Sequence, residues 1–276
     1  MCRWLAYSGS PIKLEELLVK RDRSLIDQSL HSRLGATTTN GDGFGVGWYD
    51  EDDLPRLYRS THPAWNDRNL LELAAGVSSP LFFAHIRAST GSAIQETNTH
   101  PFRHGRWLWM HNGLIRDFPR VRRELTMAVD DSLFTSIEGT TDSELMFYLA
   151  LSFGLEDDPV AAVSRAVGLI EETGRAHGID DPIQMTVATT DGRTVWAFRY
   201  SSEHDSRSLF FSTRMDALKA HYPELTELAA LSDETRVVVS EPLGDLAGAW
   251  HEVPESHVGI VQPGDDELRP FTPRST

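Results

Sequence analysis

Residues 142–177 read DSELMFYLALSFGLEDDPVAAVSRAVGLIEETGRAH, and this stretch decides the fold class. Helical periodicity runs over 143–153 and again over 159–177, so two helices follow one another. That succession breaks the strict strand-helix alternation of a parallel α/β fold. Strands are expected in clusters on either side, at 3–7, 43–49, 81–88 and 107–110 before it and at 184–190, 194–200, 209–213, 236–240 and 257–262 after it. Further helices are expected over 13–32, 66–76 and 119–129. Asp191-Gly192, between two of the strands, supplies the positive φ values of a tight type I′ hairpin turn. The pattern predicts an α+β chain with at least one largely antiparallel sheet.

A chain of 276 residues can bury a substantial core without disulfides or structural metals. It has a single cysteine, which excludes an intramolecular disulfide and routes any thiol chemistry through Cys2. No window approaches the run of about 18 apolar residues that a membrane helix needs, and MCRWLAYSGSPIKLEE lacks the basic leader and long apolar core of a secretory signal. No membrane association and a cytoplasmic location are expected. The formal charge of −15 disfavours a phosphate backbone as partner, so no nucleic acid is expected either. No repeat, low-complexity tract or long linker divides the chain.

Cys2 draws attention because a small side chain after the initiator permits removal of Met1, leaving a thiol and an amine on one residue. A free α-amino group has a pKa of about 7.7–8.0 and can act as base for its own thiol. Equally, Cys2 reads as a small apolar residue opening a strand. Trp109-Met110-His111-Asn112-Gly113 is an apolar strand that ends in a turn-prone pair. Its Asn112 amide and Gly113 N–H suit an oxyanion hole, or simply a hairpin turn. In Phe83-Ala84-His85-Ile86-Arg87-Ala88-Ser89-Thr90, alternation puts His85 and Arg87 on one face. There Arg87 and Thr90 suit a carboxylate ligand, or Arg87 pairs with a surface acid. Thr141-Asp142-Ser143-Glu144 reads as a helix start, in which Thr141 or Asp142 is the cap or Asp142 meets a substrate ammonium group.

Two segments complete the set. Asn40-Gly41-Asp42-Gly43-Phe44-Gly45-Val46-Gly47-Trp48 implies close backbone packing or a mobile loop, because it has neither dinucleotide nor phosphate-loop spacing. Asn98-Thr99-His100-Pro101-Phe102 contains one of four histidines, with His85, His104 and His111, whose spacing fits no zinc pattern. No metal is expected.

In this order, Cys2, HIRAST, NTHPF, HNG and TDSE resemble the glutaminase domain of class II glutamine amidotransferases. Ser240-Glu241-Pro242-Leu243 and Trp250 are similar to that family as well. The MCR start and the DGFGVGW segment resemble its compact subgroup, which includes the γ-glutamyl hydrolase of ergothioneine biosynthesis and an amidotransferase-like subunit of fungal glutathione degradation. The resemblance implies one domain over 2–276, with a four-layer αββα N-terminal-nucleophile sandwich of two antiparallel sheets. It implies Cys2 as nucleophile and Asn112 with Gly113 as oxyanion hole. Arg87 and Thr90 would bind a glutamyl α-carboxylate, Asp142 its α-amino group, and His111 would belong to the substrate-binding set, with His100 in support. Where the family often has Trp after this Arg, the chain has Ala88-Ser89. The implied reaction is hydrolysis of a γ-glutamyl amide, glutamine or a conjugate, through a Cys2 thioester without a cofactor. Two alternatives remain: a glutaminase subunit delivering ammonia to a separate synthase partner, and a catalytically silent binding module of the same fold.

Overall fold

The computed structural model describes residues 2–20, 23–31, 39–89, 91–225, 228 and 231–275. The chain opens with β1 (Arg3–Lys13), α1 (Glu15–Leu18), α2 (Leu25–Leu30), β2 (Phe44–Trp48), β3 (Arg56–Ser60), α3 (Arg68–Gly76) and β4 (Ser78–Ile86). It continues with β5 (Phe102–His104), β6 (Trp107–Ile115), α4 (Phe118–Met127), α5 (Asp131–Phe134), α6 (Asp142–Ser152) and α7 (Pro159–Ala176). The last part holds β7 (Ile183–Thr190), β8 (Val195–Ser201), β9 (Phe210–Ser212), α8 (Met215–His221), β10 (Arg236–Val239), β11 (Trp250–Glu252), β12 (His257–Val261) and β13 (Glu267–Pro270). The strands form a seven-stranded sheet, β11-β9-β10-β1-β4-β2-β3, and a six-stranded sheet, β13-β12-β8-β7-β6-β5. Both are antiparallel, as the α+β reading expects.

Strand alternation sorts the side chains into layers. From β1, Trp4 and Ala6 point between the sheets, where they join Phe83, Leu108, Met110, Ala188 and Ala197. Leu5 and Tyr7 point the other way, into a layer closed by Leu14, Leu17, Leu25, Leu70 and Ala74 from the first helices. On the far face of the six-stranded sheet, Trp109, Met185 and Val187 pack under α4, α6 and α7. The result is helix, sheet, sheet, helix. Helix α6 is buried from Ser143 to Leu151, which suits a helix that is apolar nearly all round. It starts where the Thr141 hydroxyl accepts from Glu144 N at 3.2 Å, and α7 starts where Asp158 accepts from Ala161 N at 3.0 Å. Among the described residues no helix is long and apolar enough to cross a membrane.

Three local expectations need correction. The expected helix over 13–32 is two short ones, because β1 extends to Lys13, Arg23 takes φ 99°, and Ser24 caps a new start by accepting from Asp27 N; its last residue, Ser32, lies outside the described residues. Asp191-Gly192 is not a two-residue turn. Thr190 pairs with Val195, and the Asp191 carboxylate accepts from Arg193 N and Thr194 N, which stabilises a four-residue loop with only Gly192 at positive φ. Nor does Asn112-Gly113 end a strand: β6 runs on to Ile115, with Asn112 opposite Thr186 and Gly113 opposite Met185. A Cβ on Gly113 would stand 1.9 Å from Gln184 O, so glycine here allows the strands to close rather than turn.

The DGFGVGW segment holds the strand expected over 43–49, and its glycines serve close backbone packing rather than a mobile loop. Phe44 and Val46 face the outer core, while Gly45 and Gly47 face inward against the segment 100–101 and Leu108. A Cβ on Gly45 would lie 2.2 Å from His100 O. Gly45→Ala should therefore destabilise the protein by about 1–3 kcal/mol, the usual range for overpacking. Urea denaturation checks this, and an unchanged midpoint would contradict it.

Candidate active site

Cys2 is half-buried just ahead of β1, between two chain segments that hold its two functional ends. Its Sγ accepts from Ala88 N at 3.3 Å and lies 3.5 Å from Ala88 O. The backbone of the residue after Arg87 thus reaches the sulfur. Burial pushes the thiol pKa up, opposed by the Ala88 amide, Arg87 and Arg3. The Cys2 carbonyl accepts from Arg3 Nη1 at 2.9 Å and from Asn112 Nδ2 at 3.0 Å. Arg3 is itself fixed by a buried ion pair with Glu241, Nη2 to Oε2 at 3.0 Å. Arg23 holds the other oxygen of Glu241 at 3.1 Å.

Asn112 is one link further in. Alternation along β6 turns it between the sheets, on the side of Leu108 and Met110. With Nδ2 donating to Cys2, its Oδ1 accepts from His85 Nε2 at 3.1 Å. This places the imidazole proton on Nε2 and fixes the amide orientation. His85 is fully buried, and burial, the main cause, lowers its pKa to about 3. His100 stacks on it with ring centroids 4.2 Å apart and leans on Phe102 at 4.5 Å. Neither ring nitrogen of His100 has a hydrogen-bond partner among the described residues, and burial drives its pKa well down. It packs as a neutral plate behind His85.

Arg87 follows the end of β4 and is nearly buried. Its guanidinium donates to Ser92 Oγ at 2.7 Å, Ala93 O at 3.1 Å, Ser89 Oγ at 3.3 Å and Asp42 O at 3.5 Å. All of these partners are neutral. Segment 40–43 grips the backbone at this point, through Arg87 N to Gly43 O at 2.8 Å and Ser89 N to the Asp42 carboxylate at 2.7 Å. Thr90 lies outside the described residues.

Asp142 is the first residue of α6, and Thr141 is the cap. Its Oδ2 accepts from Ile115 N at 2.8 Å and its Oδ1 from Ser143 N at 2.8 Å. A cleft of ≈ 900 Å³ runs past it, lined also by Ser92, Ala93, Gly113 and Ile115. His111 points to the opposite side of β6 from Asn112 and lies behind this wall, its Nδ1 2.8 Å from Ser143 Oγ. Burial lowers its pKa, with Asp142 acting in the other direction.

The sequence reading missed Asn98, which ties the two walls together. Its amide donates to Ala93 O at 3.0 Å and to Thr140 Oγ1 at 3.1 Å, and accepts from Thr140 N at 2.8 Å. Ala93 touches Arg87, and Thr140 leads to Asp142. The Asn in NTHPF was the available signal. Ser240 and Glu241 act likewise on β1: Trp4 N donates to Ser240 Oγ at 3.0 Å, next to the Arg3–Glu241 pair.

The sequence model of class-II glutamine amidotransferases matches residues 18–274. The chain belongs to the class II glutamine amidotransferases. A probable glutamine amidotransferase of Saccharomyces cerevisiae is 36% identical over 301 residues, covering 98% of this chain and 84% of that protein. The γ-glutamyl-hercynylcysteine sulfoxide hydrolase of Mycolicibacterium smegmatis is 28% identical over 264 residues, 95% of this chain and 96% of that one. A glutamine aminotransferase class-II domain protein from Silicibacter pomeroyi superposes with a TM-score of 0.76 at 34% identity, over 99% of this chain and 100% of that chain. The glutamine phosphoribosylpyrophosphate amidotransferase of Bacillus subtilis shares the fold, with a TM-score of 0.63 at 12% identity over 99% of this chain and 50% of that chain. This amidotransferase is an enzyme of the N-terminal-nucleophile amidohydrolase type.

The buried histidines give the amidotransferase a pH-dependent stability. Unfolded, His85, His100 and His111 titrate near about 6.5, whereas folding lowers all three. Below about pH 6.5 the unfolded chain binds more protons, so this stability is present above that value and is lost as pH falls toward the folded values. Each contributes up to about 1.4 kcal/mol per pH unit. Urea midpoints should fall steeply between pH 7 and pH 5, and a flat profile would contradict the neutral, buried state of the three rings.

Proposed function

We propose that Cys2, freed by excision of Met1, hydrolyses a γ-glutamyl amide through a thioester. The contact that carries this reading is Asn112 Nδ2 to Cys2 O at 3.0 Å, which holds an oriented amide donor beside the nucleophile. The name of the Mycolicibacterium smegmatis relative, a γ-glutamyl hydrolase, points to the same class of bond.

In the proposed reaction Arg87 takes the glutamyl α-carboxylate. Its hydrogen bonds go to neutral groups, and a guanidinium of this kind suits a carboxylate ligand. Asp142 faces the α-ammonium group across the cleft, and His111 supports it through Ser143. Clamping both ends places the γ-carbonyl at Cys2 and lowers the entropic cost of attack. The terminal amine accepts the thiol proton, and the sulfur adds to the carbonyl. The oxyanion is held by Asn112 Nδ2 and Gly113 N–H. Collapse expels the leaving amine, which takes the proton back from the terminal ammonium. Water then attacks the thioester, gives one proton to the terminal amine, and releases glutamate while the thiol re-forms.

Cys2→Ala should abolish turnover of γ-glutamyl compounds, while calorimetry still detects glutamyl binding; normal turnover by this variant would end the proposal. Arg87→Lys should raise KM roughly 10- to 100-fold with a smaller change in kcat, because an ammonium replaces a charge but not a two-pronged hydrogen bond. A steady-state titration that leaves KM unchanged would remove Arg87 from the glutamyl pocket.

A further inference from the structure

The loop between β8 and β9 crosses from one sheet to the other at the end where Cys2 lies, and it is pinned on both sides. Gln184 Nε2 donates to Asp205 O at 2.7 Å, and Gln184 pairs with Leu114, the neighbour of Gly113. Ser206 Oγ accepts from Arg199 Nε at 3.0 Å, and Ser206 N donates to the Glu255 carboxylate at 3.0 Å. Ser208 Oγ donates to Ser240 O at 2.9 Å, and Ser240 N donates to Trp4 O at 3.1 Å. The loop that carries Arg207 thus runs from β7, next to the strand that holds Asn112 and Gly113, to Ser240, next to the strand that begins after Cys2. Arg207 is half-buried. Burial disfavours its charge, while Cys2 and then Asp205 favour it, so the guanidinium and the thiol share one electrostatic environment.

Topology gives Arg207 a side. In the seven-stranded sheet β4 flanks β1 on one edge and β10 on the other. Arg87 follows β4, whereas the loop of Arg207 is tied to Ser240 at the end of β10. The two arginines therefore stand on chain segments on opposite sides of β1, the strand that follows Cys2. A γ-glutamyl group anchored by its α-carboxylate on Arg87, with its scissile carbonyl at Cys2, directs its leaving amine away from Arg87.

We propose that Arg207 binds a carboxylate borne by the leaving amine, which makes γ-glutamyl α-amino acids better substrates than glutamine or neutral γ-glutamyl amides. The inference rests on the Cys2 reading above, and it names the half of the substrate which that reading leaves open. A guanidinium suits this task because it pairs with a carboxylate through two parallel N–H groups.

The test compares γ-glutamyl-alanine with γ-glutamyl-alaninamide, which share a scissile bond and differ only in the leaving group's carboxylate. The wild-type protein should prefer the acid in kcat/KM by roughly tenfold or more. Arg207→Gln should remove that preference, and Arg207→Lys should retain part of it. A wild type that does not discriminate, or an Arg207→Gln protein that keeps the full preference, overturns the proposal. So does an equal loss on both substrates, which would assign Arg207 to Cys2 itself. Binding of the same pair to Cys2→Ala and to Cys2→Ala/Arg207→Gln, read by calorimetry, needs no turnover. An inactive wild type would therefore count against the Cys2 mechanism, while the binding ratio still decides the role of Arg207.

Discussion

The buried ion pair between Arg3 and Glu241 is the constraint on which the placement of Cys2 depends. Two side chains almost wholly removed from water lie 3.0 Å apart, and a second amino group of Arg3 holds the Cys2 carbonyl. Burying such charges is favourable only when geometry and hydrogen bonding are complete, and breaking one partner of such a pair costs about 3–5 kcal/mol. A chain terminus frays unless it is tied down. Here the tie is an interaction that tolerates little displacement, supported by Arg23 on the second oxygen of Glu241 and by Ser240 on Trp4. Residues more than 230 positions apart in the chain thus set where the second residue stands.

From that anchor the site extends inward as a sequence of contacts with one direction. Asn112 takes the Cys2 carbonyl, His85 takes Asn112, and His100 covers His85. Each histidine is neutral because its surroundings are apolar, and a neutral ring can donate from one nitrogen without bringing a charge near the thiol. The glycines of β2 belong to the same construction, since only a bare Cα lets the His100 carbonyl come so close to Gly45. The opposite wall is built separately, with Asp142 at the head of an almost fully buried helix. Asn98 joins the two walls through Ala93 and Thr140.

The sequence carried more of this than its separate motifs suggested. Two consecutive helices and clustered strands pointed to α+β, and the ordered motifs pointed to the αββα sandwich that the family match and the fold neighbours bear out. Local signals failed where distant residues overruled them. Asn112-Gly113 has the chemistry of a turn, yet β7 offers a full set of ladder partners and the pair stays in the strand. Residues 13–32 have a helical pattern, but pairing of Ser78 and Ser79 with Lys13 and Ile12 draws the start into β1, and Arg23 interrupts the rest. Asn98 and Arg207 stood out by no spacing rule, because what each does depends on segments brought alongside by the fold.

What the sequence by itself determined is therefore the inventory: one thiol at position 2, an arginine closing a strand, an amide and a glycine in succession, an acid at a helix start, and the periodicities that assign them to strands and helices. These follow from local chemistry and from alternation, which a chain carries wherever it goes. Tertiary structure alone decided which of them meet. The face of β6 that looks between the sheets receives Asn112 and not His111, the backbone of Ala88 reaches the sulfur, and Glu241 reaches Arg3 across the whole length of the chain. The physical reason is that burial of charged and polar groups is tolerable only with partners, and those partners come from strands that are neighbours in the sheets and strangers in sequence.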